Sequence, residues 1–237
     1  MRLIAALVIG VVVVVAGRVA AVHFDEFGVV PKDKATAKCE FKAASQVVKA
    51  SKKVAACHIK RALSLGKLDE AAEETCETNV AAAYDAKVHS ASCPTCLTNL
   101  KGSTLVAIVD AQSGAVYCSG PTAFGTDDGS AKIPPDKATA KCENKVATKV
   151  GKLVGAIIAC HVKAAKVAFK TKITTDQNTD QPCEDAAKAV FERTSTTGCE
   201  CVQLTTIANN TEALLDVSNQ GIFCASPSGA FVDGTLG

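Results

Sequence analysis

The chain repeats itself. The octapeptide running from Asp33 to Glu40 (DKATAKCE) returns letter for letter from Asp136 to Glu143, 103 residues on. At the same offset Cys57-His58-Ile59-Lys60 becomes Cys160-His161-Val162-Lys163. Further along, Cys76-Glu77 matches Cys183-Glu184 and Tyr117-Cys118 matches Phe223-Cys224, the offset drifting between 103 and 107 through a longer loop at 171–182. Each copy holds six cysteines in the same order. Whatever fold satisfies one copy must satisfy the other.

This organises the chain into a leader at 1–21, a first six-cysteine unit at 31–120, a linker at 121–134, a second unit at 135–228 and a tail at 229–237. The leader has the charged–apolar–small order of a secretory signal peptide: Arg2, an apolar run from Leu3 to Ala16, then Val19-Ala20-Ala21. The run is shorter than the roughly 20 residues a bilayer span requires, so no stable membrane span is expected after cleavage. The linker is rich in Gly, Pro, Ser and Asp, a composition that punctuates rather than packs. It predicts two domains joined by a short stiff segment. Cleavage after Ala21 takes Lys+Arg from 26 to 24 against 24 Asp+Glu, a balance that excludes a general nucleic-acid binder. With no Trp, two Tyr and much Ala and Val, the interior has little bulk to bury, and cross-links are the expected compensation in an oxidising compartment.

The fold class follows from spacing. Residues 33–65 lack Pro and Gly and carry Lys34, Lys38 and Lys42 at helical intervals, which predicts a long helix capped by Asp33, with Asp136 its counterpart. Gly66 breaks it, and acids from Asp69 to Glu77 open a second helix to about Ser92, as suits a helix N-terminus. The matching helix runs from about Pro182 to Thr197. Cys39 and Cys57 are 18 residues apart, as are Cys142 and Cys160, five whole turns at about 3.6 residues each, so each pair shares a helix face. Cys57 with Cys76 and Cys39 with Cys93 both centre on Gly66, and Cys160 with Cys183 and Cys142 with Cys201 both centre on 171.5. The expectation is an all-α protein of two tandem antiparallel hairpins. Each has the rungs Cys57–Cys76 or Cys160–Cys183, and Cys39 to Cys93 or Cys96, or Cys142 to Cys199 or Cys201. The cysteine left over at the close of each hairpin takes Cys118 or Cys224, across a short third helix at 103–112 or 210–219. Loops of about 20 to 55 residues closed this way stabilise by about 3–4 kcal/mol each in the chain-entropy model.

Candidate chemistry is sparse. Cys93-Pro-Thr-Cys96 has redox-motif spacing, but it follows a helix rather than opening one, and the second unit has Cys199-Glu-Cys201 instead. His58 and His161 hold matching positions and suit a metal or haem site if the copies face each other; otherwise they are amphipathic residues beside a disulfide rung. No His–carboxylate pattern is read as repeating, so no cofactor, metal-ligand set or catalytic residue is expected. The lysine stripe (Lys38, Lys42, Lys141 and Lys145 at its centre) faces water, the acidic second helix, or an anionic partner.

The Asp-Lys-Ala-x-x-Lys-Cys opening, the Cys-His pair and the aromatic-Cys close resemble a group of exported bacterial proteins that carry this unit in tandem. The resemblance implies export and repetition, and no activity. The expected function is a secreted or periplasmic, non-enzymatic binding or structural module, its partner an anionic surface polymer or another envelope or extracellular protein. The competing expectation is an extracytoplasmic metal, haem or thiol-redox protein using His58, His161 and the CPTC and CEC pairs.

Overall fold

A computed structural model describes residues 31, 33–89, 93–171, 177–219 and 221–224. The expected leader and C-terminal tail lie outside the described residues. Among those described the chain is all-helical: α1 (Lys34–Ser64), α2 (Glu70–Val88), α3 (Gly102–Val116), α4 (Lys137–Thr171), α5 (Gln177–Glu192) and α6 (Leu204–Asn219), with a 3-10 turn at Thr95–Asn99. None of these helices is long and apolar enough to cross a membrane.

Local chemistry sets the ends. Asp33 accepts from the Thr36 N–H at 2.8 Å, Asp136 from Ala138 and Thr139 at 2.8 and 2.9 Å, and Asp69 from Ala72 at 2.8 Å. Each satisfies N–H groups that a first helical turn leaves without partners. Leu65 and Gly66 turn left-handed, at φ 53° and 81°, and reverse the chain where the cysteine midpoints converge. Two helix starts differ from expectation. α5 begins at Gln177 and carries Pro182 inside it, and α6 begins at Leu204, so that Asn209, expected just before the helix, sits exposed within it.

Both hairpin rungs form in each half: Cys57–Cys76 and Cys39–Cys93, then Cys160–Cys183 and Cys142–Cys199. The last two bridges exchange partners across the halves. Cys96 binds Cys224, and Cys118 binds Cys201. The reason is packing. α1 lies against α4, and a Cβ on Gly151 or Gly155 would press on Lys52 or Val48 of α1. This close approach brings the end of each hairpin beside the other half's third helix. A single core, including Val47, Val146, Val150, Leu153 and Ile157, draws side chains from all six helices. The 121–134 segment, expected only to punctuate, packs as well. Phe124, Ala131 and Ile133 are buried, and an antiparallel bridge joins Ala123 to Lys132.

Candidate metal centres

The inner rung of each hairpin fixes the height of its two neighbours. His58 follows Cys57 on α1 and Glu77 follows Cys76 on α2, so the Cys57–Cys76 bridge, with Cα atoms 6.0 Å apart, brings imidazole and carboxylate to one level. Glu77 Oε1 lies 2.7 Å from His58 Nε2. Glu73, one turn earlier on α2, places Oε1 at 3.2 Å. Asp110 of α3 places Oδ1 at 3.3 Å, and Asp128, from the segment between the halves, at 3.4 Å. All five side chains are buried. Ser113 Oγ sits 3.3 Å from Nδ1 and orients the ring so that Nε2 meets the acids. Tyr117 and Phe124 stack at 4.8 Å and present their ring planes edge-on to the imidazole. Arg61 ion-pairs with the other oxygen of Glu73 at 3.3 Å.

The second half repeats the plan. Cys160–Cys183 sets His161 beside Glu184, whose Oε1 is 2.6 Å from Nε2. Asp216 of α6 stands at 3.3 Å, and Asp180 completes a buried trio with His161 and Glu184. Asp180, Glu184 and Asp216 correspond to Glu73, Glu77 and Asp110 at offsets of 106 or 107. The expectation that no His–carboxylate pattern repeats is therefore corrected. Arg61 gives way to Ala164, which is buried. With both imidazoles neutral, four ionised carboxylates with an arginine, and three without one, give the two buried clusters the same formal charge, −3.

So much buried negative charge is costly without a cation. Burial alone would lower the His58 pKa, but Asp110, Glu77 and Asp128 outweigh it and raise it from 6.5 to about 10. His161 behaves alike, with Asp216 and Glu184 overcoming burial to bring it to about 10. Burial pushes Glu73 up to about 8, Asp110 to about 6 and Glu184 to about 7. Even so, His58 Nε2, Glu73 Oε1, Glu77 Oε1, Asp110 Oδ1 and both Asp128 oxygens lack a hydrogen bond of proper geometry, as do His161 Nε2 and both Glu184 oxygens. The acids crowd Nε2 without being aimed at its proton.

The other candidates are placed as follows. Lys38, Lys42, Lys141 and Lys145 are exposed. His58 and His161 are enclosed by separate sets of acids and do not meet on one ligand. Cys93 and Cys96 belong to different bridges, as do Cys199 and Cys201, so neither pair is a dithiol couple. Cys118 and Cys201 gather with Glu143, but their sulfurs are bonded to each other. No protein-family model matches the chain, and no curated protein or solved structure is similar to it. The likeness to exported bacterial proteins thus has no match behind it.

Proposed function

We propose that this protein is an extracytoplasmic, non-enzymatic carrier of two divalent cations, one held at His58 and one at His161. Six disulfides suit a stabilised module of the extracellular type. The observation that carries the cation reading is the ring of buried carboxylate oxygens 2.7–3.4 Å from His58 Nε2, without directed hydrogen bonds. Donors bound side by side to one six-coordinate ion at about 2.1 Å lie about 3.0 Å from one another, and these spacings bracket that value. One imidazole with two carboxylates in each trio (His58 with Glu73 and Glu77 or with Asp110 and Asp128, His161 with Asp180 and Glu184) suits Mn2+, Fe2+ or Zn2+ rather than thiophilic ions, and every cysteine is already in a disulfide. Burial of the donors favours retention over turnover.

The test is titration of metal-free protein with Mn2+. Two ions should bind, His58→Ala and His161→Ala should each lose one, and loading should raise the melting temperature. A wild-type protein that binds no Mn2+, Fe2+ or Zn2+ would show the clusters to be proton-sharing ion pairs and end this reading.

A further inference from the structure

The two centres differ in what separates them from solvent. Beside the first, a cavity of about 360 Å3 opens between α2 and α3. Glu77 and Asp110, both donors to the centre, form part of its wall, with Glu74 and Asp127 also lining it. Glu70, Glu74 and Asp127 bring carboxylate oxygens within 4.8 Å of one another, and Glu70 is tied to the neighbouring segment by the N–H and Oγ1 of Thr126, at 2.8 and 2.6 Å. Surface acids alone would mean little. Here the residues around the cavity also include Glu77 and Asp110, whose inner oxygens Oε1 and Oδ1 are buried, on side chains 3% and 6% exposed, without directed hydrogen bonds. Acidic side chains therefore separate this cavity from Nε2, with Glu77 and Asp110 bordering both.

At the matching positions of the second half the space is filled. Gln181 replaces Glu74, Lys188 replaces Ala81, and Glu212 replaces Val106. Lys188 Nζ donates to Glu212 Oε2 at 2.6 Å and pairs with Asp185 at 3.1 Å. Gln181 Nε2 donates to Glu212 Oε1 at 2.9 Å and to Asp185 at 3.0 Å. Charge-assisted bonds of this kind must break before an ion can pass.

We infer that the first centre exchanges its ion through the cavity lined by Glu74 and Asp127, whereas the second retains its ion behind the Lys188–Glu212–Gln181 network. The inference rests on the cation reading above and adds a division of labour: one exchangeable ion, one held with the fold.

Protein loaded with Mn2+ and mixed with excess EDTA tests it. Release should occur in two equal phases whose rates differ by about tenfold or more. His58→Ala should remove the fast phase and His161→Ala the slow one. Building the plug into the first half with Ala81→Lys and Val106→Glu should slow the fast phase. Opening the second with Lys188→Ala and Glu212→Val should speed the slow phase, and this pair serves should the first pair not fold. Two bound ions leaving at one rate, or a fast phase assigned to His161, would overturn this inference and leave the cation reading standing. No bound ion would overturn both.

Discussion

Cys57 and Cys76 each have a neighbour whose side chain the bridge delivers to the same level, and the pattern recurs at Cys160 and Cys183. A bridge that staples the hairpin thereby also sets His58 against Glu77 and His161 against Glu184. Ser113 acts one step further out, by holding Nδ1. Ser113→Ala should weaken Mn2+ binding at the first centre by about 10–100-fold, the usual effect of removing a group that orients a ligand, and leave the second unchanged in the same titration. Glu143, outside both centres, offers a pH test. Burial raises its pKa from 4.5 to about 7, against the lowering effect of the Ser119 and Cys118 N–H groups. Its folded state holds the proton more tightly than the unfolded chain. That stability is full below pH 4.5 and is lost as pH rises through about 7. Glu143→Gln should therefore flatten the fall in melting temperature between pH 5 and pH 8; an unchanged slope would refute the assignment. The histidines stood out in the sequence because they repeat. The acids repeat too, but an acid near a helix start already satisfies the dipole wherever its side chain points. The clue was the inward stripe of α2, Glu73-Glu77-Tyr84-Val88, in which two charged residues continue an apolar face.

Helices α1 and α4 were the most legible elements, since caps, composition and cysteine spacing agree along their whole length. Asp136→Ala should lower the midpoint of denaturant unfolding, as the loss of an N-cap usually does. Other boundaries were harder to read because packing decides them. α3 continues through Gly114 to Val116, and a Cβ at Gly114 would collide with Ser130 and crowd Ala131. That glycine looked like a stop and is instead the place where the 121–134 segment crosses the helix. Gly114→Leu should push this segment outward and take Asp128 with it. Mn2+ affinity at the first centre should fall while the circular dichroism stays helical. α6 starts early because Ile207, Ala208, Thr211 and Leu215 make one inward face, with Asn209 and Asn210 on the other side.

Hairpin arithmetic locates partners that share a turn: it found Cys57–Cys76 and Cys160–Cys183 outright, left Cys39 and Cys142 two partners each, and centred Cys142 on Cys201 where Cys199 is bonded. It is silent on Cys96–Cys224 and Cys118–Cys201, which depend on how α1 meets α4, and that meeting rests on small residues whose role no periodicity reveals. These two bridges close separations of 128 and 83 residues, so removing Cys118–Cys201 with paired serines should cost about 4 kcal/mol in the chain-entropy model. A protease site introduced at the exposed Gly129 gives a direct test of pairing. The cut halves should migrate as one band without reductant and as two with it; separation without reductant would mean that each half closes on itself. Written as brackets along the chain, the six bridges never cross. Cys57–Cys76 sits inside Cys39–Cys93, and Cys160–Cys183 lies within Cys142–Cys199, then Cys118–Cys201, then Cys96–Cys224. Oxidation can thus proceed from the innermost pair outward, each bond shortening the span left for the next. No strand of the chain has to be threaded through a ring already shut.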